Sequence, residues 1–175
     1  MRATRQKLMP FDLESNRILR LPTTESKIQV YRLRGHDFRI VFVPIPGPLV
    51  SASLIIPTLA SDNSGRPHTL EHLVFCGSHS IPHRGYLDNL ATRCLSTGTN
   101  AYTSEDHTSY EIGTAGSEGM YHIFPVFMDH ILNPTLRQRQ FMTEVYHLDG
   151  SAKQQGVVFC EVSSCDLMLT ITDGE

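Results

Sequence analysis

His68-Thr69-Leu70-Glu71-His72 puts two imidazoles and a carboxylate within five residues. On a helix advancing about 100° per residue, His68 and His72 lie about 40° apart, with Glu71 about 60° to the other side of His68. All three side chains then share one face. Zinc takes neutral imidazole nitrogens with an anionic oxygen or thiolate in a tetrahedron, and a hydrolytic site leaves one position for water. Two histidines at i and i+4 suit one such ion, and the adjoining Glu71 is placed to take a proton from the activated water. The five residues therefore predict a zinc-binding helix, with His68 and His72 as ligands and Glu71 as base. Leu70, Leu73 and Val74 fall on the opposite face, where they are expected to bury against a sheet.

A third protein ligand must come from elsewhere. Glu161, in Gly156-Val157-Val158-Phe159-Cys160-Glu161, and Glu144, in Phe141-Met142-Thr143-Glu144-Val145-Tyr146, are the distant acids available. Spacing alone leaves both open. His36, His79, His83, His107, His122, His130 and His147 have no matching ligand spacing and read as surface or hydrogen-bonded histidines. Cys76, one turn after His72, reads as a packing residue. Cys160 adjoins Glu161, so its alkylation is expected to impair zinc binding if Glu161 is the third ligand.

The elements that must position these residues follow from the pattern around them. Residues 1–26 read as a surface lead-in. Lys27 to Arg34 and Phe38 to Val43 read as a hairpin about Gly35-His36-Asp37, and Val50 to Pro57 as a third strand. The break Ser61-Asp62-Asn63-Ser64-Gly65 precedes the motif helix, with Ser64 or Asn63 as its cap, Pro67 in its first turn and its end near Gly77. Tyr86 to Leu95 reads as a helix with Leu87, Leu90, Ala91 and Cys94 on one face. Thr97 to Ser104 and His107 to Thr114 read as strands. Glu118 to Leu132 reads as a helix kinked or split by Pro125. Two short elements, Phe141 to His147 and from Gly156 onward, flank the turn Asp149-Gly150. The pattern is α+β, a mostly antiparallel sheet flanked by helices.

Bulk properties bound the rest. The 175 residues are 40% hydrophobic and 19% charged, with a formal net charge of -3. That balance favours neither nucleic acid nor an anionic membrane surface as partner, and no run reaches the roughly 18 apolar residues of a membrane span. Four cysteines without Cys-x-x-Cys spacing argue against a disulfide framework. A cytoplasmic location is expected. The basic start Met1-Arg2-Ala3-Thr4-Arg5-Gln6-Lys7-Leu8 leaves the mitochondrial matrix as the alternative.

His68 to Phe75, Gly98-Thr99-Asn100-Ala101-Tyr102-Thr103, Asp106-His107-Thr108-Ser109-Tyr110 and Gly156 to Glu161 together resemble the pitrilysin/insulysin family of inverzincin metallopeptidases. The Gly156–Glu161 block and Tyr146-His147-Leu148-Asp149-Gly150 resemble its presequence protease branch and the cytosolic relatives of that branch. The resemblance implies the N-terminal part of a pitrilysin-like domain over residues 27–162. It also implies His68, His72 and Glu161 as zinc ligands and Glu71 as base, which leaves Glu144 free to be an acid that orients a histidine. Thr97 to Ser104 would be the edge strand to which peptide substrates add, with Asn100 and Ala101 facing the scissile bond. Beyond Glu161 the resemblance stops, and residues 163–175 read as a divergent tail. A truncated form is therefore expected, needing a C-terminal half or a partner subunit to close its chamber. The expected function is a zinc-dependent endopeptidase acting on short or unfolded peptides; the alternative is a non-catalytic zinc- or peptide-binding module of the same family. A purely structural zinc site fits poorly, because two histidines and one glutamate leave the fourth position open.

Overall fold

The computed structural model describes residues 10–20, 22 and 25–163, so most of the basic N-terminal segment and the tail from residue 164 lie outside the described residues. The chain divides into two compact units, Met1–Gly47 and Pro48–Glu175.

In the first unit, β1 (Phe11–Arg20), β2 (Glu25–Leu33) and β3 (Arg39–Phe42) form an antiparallel sheet in the order β1-β2-β3. The hairpin expected across Gly35-His36-Asp37 is present as β2 and β3. Residues 11–20, read as part of a surface lead-in over 1–26, are a ten-residue strand. Their order comes from the ladder with β2 and from charge pairs across it: the Arg34 guanidinium grips both carboxylate oxygens of Asp12 at 2.8 and 2.9 Å. It thereby holds the Asp12 carboxyl below its usual range.

The second unit carries the motif. Its sheet has the order β4-β6-β5, built from β4 (Leu49–Pro57), β5 (Ser96–Thr103) and β6 (His107–Ala115), all antiparallel. Strand β4 alternates strictly, so that Val50, Ala52, Leu54 and Ile56 face one way onto the helices. Those helices are α1 (Arg66–Val74), α2 (Tyr86–Arg93) and α3 (Ser117–Leu132). Their apolar stripes meet the sheet in one core, where Ile123 and Phe127 of α3 are fully buried beside Leu87, Ala91, Tyr110 and Ile112. Helix α4 (Gln138–Val145), the short hairpin β7 (His147–Leu148) and β8 (Gln154–Gln155), and helix α5 (residues 157–163) complete the unit. The α+β expectation holds.

Several local details differ from the sequence reading. Helix α1 starts after Gly65, which sits in the left-handed region at φ 66°, and no side chain caps it. Ser64 and Asp62 are engaged elsewhere: the Ser64 N–H donates to Asp62 and the Ser64 hydroxyl accepts from Arg66. The helix stops at Val74, before Gly77. Leu73 and Val74 are buried as expected, whereas Leu70 stays 38% exposed. Pro125 lies inside an unbroken α3. Both Pro125 and Tyr121, whose carbonyl loses its partner, are on the exposed side, where water can replace the missing N–H. No helix among the described residues is long and apolar enough to cross a membrane.

Candidate metal centre

Helix α1 packs its Leu73 and Val74 side inward and turns His68 and His72 toward a cleft of about 800 Å³. The C-terminal end of α1 is tied down by the following loop. The Gly77 carbonyl accepts from the Thr135 N–H, the His79 N–H donates to Asn133, and Gln140 of α4 donates to the Cys76 carbonyl at 2.9 Å. Rotation of α1 would break these bonds, so the two imidazoles are fixed from behind.

Helix α5 borders the cleft through Glu161. Val158 is buried, and Phe159 meets Tyr146 edge-on at 5.2 Å between ring centroids. Glu161 on this helix then reaches α1. His68 Nε2 and His72 Nε2 are 3.2 Å apart, and each lies 3.2 Å from Glu161 Oε2. No other group of three His, Cys, Asp or Glu converges in this way among the described residues. An ion held at about 2.0–2.1 Å from three corners of a tetrahedron needs those corners roughly 3.3–3.4 Å apart. The triangle fits zinc in size, and its two nitrogens and one oxygen fit zinc in donor type.

Glu71 shares this face of α1 but does not enter the triangle. Its side chain is 9% exposed, and Oε2 accepts a 2.5 Å hydrogen bond from the Thr103 hydroxyl of β5. Behind it, burial first and the Glu71 charge second push the Tyr110 phenol up to about 12. Glu144 is placed away from the three ligand atoms. It is buried on α4, and its Oε1 pairs with Arg84, in place of the histidine that the sequence reading assigns it. Burial and, after it, the Glu144 charge push the neighbouring Cys76 thiol up to about 11. Cys76 is buried, as a packing role requires, while Cys160 is exposed.

Asn100 and Ala101 both line the cleft on β5, which is an edge of the three-stranded sheet. Consecutive strand residues point to opposite faces. Ala101 packs toward the core while Asn100 is exposed, so what they present together to the cleft is backbone. The sequence reading missed Thr103. Its signal was parity: Thr103 is two residues from Ala101, hence on the same face, which is the face α1 covers. Asp88 of α2 and Phe75 also line the cleft. The remaining histidines stay outside it; His107 pairs with Asp106 at 2.6 Å, and the fully buried His130 bonds the Val126 carbonyl through Nδ1.

Residues 60–164 match the model of the family described as Insulinase (Peptidase family M16). An uncharacterised protein of Caenorhabditis elegans is 43% identical over 136 residues, covering 78% of this chain and 14% of that protein. The mitochondrial presequence protease of Danio rerio is 35% identical over 97 residues, covering 55% of this chain and 10% of its own length. The crystal structure of pitrilysin aligns with a TM-score of 0.60 at 19% identity, over 71% of this chain and 14% of that one, a likeness of fold.

Proposed function

The chain belongs to the insulinase family, peptidase family M16, and we propose that it carries the zinc site of an endopeptidase acting on short or unfolded peptides. The observation that carries this reading is the 3.2 Å triangle of His68, His72 and Glu161 with the buried Glu71 carboxylate on the same helix face. His68, His72 and Glu161 would hold the ion. Zinc, when bound, supplies Lewis-acid polarisation of the scissile carbonyl and makes water acidic near neutral pH.

The chain's own residues supply the remainder. Glu71, held through Oε2 by the Thr103 hydroxyl, takes the proton of the attacking water and returns it to the leaving amine. The edge of β5 at Asn100 and Ala101, which has no second partner strand among the described residues, offers backbone N–H and C=O groups to an extended peptide. Recognition of this kind tolerates many side chains, which supports unfolded peptides as the substrate class. Cytoplasm and mitochondrial matrix are both proposed as the compartment, the second supported by relatives named mitochondrial presequence proteases.

A second reading, a zinc- or peptide-binding module without activity of its own, is favoured by one fact. The chain spans only 14% of the first relative's length, so closure of the chamber would fall to further chain or to a partner. One experiment separates the two. Purified chain should bind about one zinc and cleave a quenched peptide; Glu71→Gln should keep the zinc and lose about a hundredfold or more in rate. Zinc-loaded chain that cleaves nothing selects the second reading; absence of zinc refutes the peptidase reading and leaves of the second only a peptide-binding module.

A further inference from the structure

We propose that Thr103 is a positioning residue for Glu71, and that Thr108 and Thr58 hold it in that role through a line of hydroxyls drawn from β5, β6 and the residue that follows β4. The proposal rests on the reading of Glu71 as base and adds residues which that reading does not contain. Thr103 on β5 and Thr108 on β6 are directly opposed across the ladder. Thr58 follows the last residue of β4 and is pinned by its own N–H to the Asp106 carbonyl at 3.0 Å. The Oγ1 atoms of Thr58 and Thr108 are 3.0 Å apart, and those of Thr108 and Thr103 are 3.4 Å apart. The line ends on Glu71 Oε2, 2.5 Å from Thr103 Oγ1.

The direction of the protons in this line follows from chemistry. An ionised carboxylate only accepts, so the single proton of Thr103 points at Glu71. The Thr103–Thr108 contact then forms only with Thr108 donating, and the Thr108–Thr58 contact only with Thr58 donating. All three hydroxyl dipoles aim at the carboxylate, and bonds aligned in this way strengthen one another. Thr108 is 1% exposed and Glu71 9%, while Thr58 and Thr103 are half-buried, so water has least access at the middle of the line and at its carboxylate end.

A glutamate side chain has three torsions to restrain. Bonding one carboxylate oxygen to a strand removes most of that freedom while Glu71 still lines the cleft. Loss of the Thr103 hydroxyl should therefore slow proton transfer while leaving the three metal ligands and the β5 backbone as they are. That combination lowers kcat and spares KM.

The test uses the full chain with glutamates labelled at the side-chain carboxyl carbon. The Glu71 resonance is identified as the one missing from Glu71→Gln. In Thr103→Val, of nearly the same shape, this resonance should move; in Thr103→Ser it should return to its original place. This readout needs neither metal nor cleavage. With zinc and a quenched peptide, Thr103→Val should lose about ten- to a hundredfold in kcat, the range for residues that orient a reacting group, with zinc affinity and KM held, and Thr103→Ser should recover most of it. An unmoved resonance, or an unchanged kcat, in Thr103→Val overturns the proposal, as does failure of Thr103→Ser to rescue. A resonance that moves as expected in a chain that cleaves nothing upholds the contact and refutes the peptidase reading instead.

Discussion

Gly156→Ala tests whether the helix that carries Glu161 is seated as tightly as the metal triangle requires. Gly156 precedes α5 with φ 138°, in the region that disfavours a side chain. A Cβ built there would lie 2.3 Å from the Val145 carbonyl oxygen, 2.7 Å from its carbon and 2.9 Å from Tyr146 Cα. All three atoms are backbone, so no side chain can rotate away. Restoring an ordinary carbon–oxygen contact of about 3.3 Å requires the start of α5 to withdraw by roughly 1 Å. Glu161 lies on the same short helix and moves with it. Metal ligands tolerate errors of about 0.2 Å, so the displacement exceeds the tolerance several times over. Weakening one of three ligands should then lower zinc affinity by about a hundredfold, at the upper end of what loss of a supporting contact does. Competition against a colorimetric chelator measures it. Gly150→Ala is the control, because a Cβ there meets nothing within 4 Å. Wild-type zinc affinity in a folded Gly156→Ala chain would refute the seating argument.

Three further outcomes are expected. Phe127, fully buried in the core, should lose about 3–5 kcal/mol of stability on truncation to Ala, read from urea unfolding; a loss under about 1 kcal/mol would mean that α3 is not packed as described. The Cys76 thiol, pushed up to about 11 from an ordinary 9.0, should resist iodoacetamide near neutral pH while exposed Cys160 reacts and zinc affinity falls with it. Because folding raises the Cys76 pKa, its contribution to stability is full below pH 9 and is lost as pH rises toward 11. Cys76→Ser should therefore show a shallower decline over that interval, and parallel declines would count against the assignment.

What the sequence made legible was mostly local. The spacing of His68, Glu71 and His72 dictates a shared face as soon as the segment is helical, and the alternation of β4 assigns its core face directly. Glu161 was not legible from spacing, because its arrival beside α1 depends on everything folded between them; the family resemblance supplied it. Strand β1 was missed because its apolar residues, Phe11, Leu13, Ile18 and Leu19, keep no single alternation and its order comes from pairing with β2. The cap of α1 was misplaced because a left-handed Gly65 starts the helix without a side-chain acceptor. Thr103 escaped notice because a threonine on a strand is ordinary, and its partner lies on a helix 32 residues earlier.

The separation of the ligands along the chain has a consequence for how the molecule comes into being. His68 and His72 become neighbours as soon as one turn of α1 forms, whereas Glu161 joins them only by closing a loop of about ninety residues, a contact whose entropic cost must be met before any gain. A chain still folding offers two nitrogens; the third donor arrives when sheet, α3 and α5 are in place. An ion that needs all three would bind the finished unit and ignore the unfinished one, adding to its stability in proportion to that preference. The site would then serve as a latch on the completed topology, and release of the ion would mark the opening of the longest loop the unit closes around it.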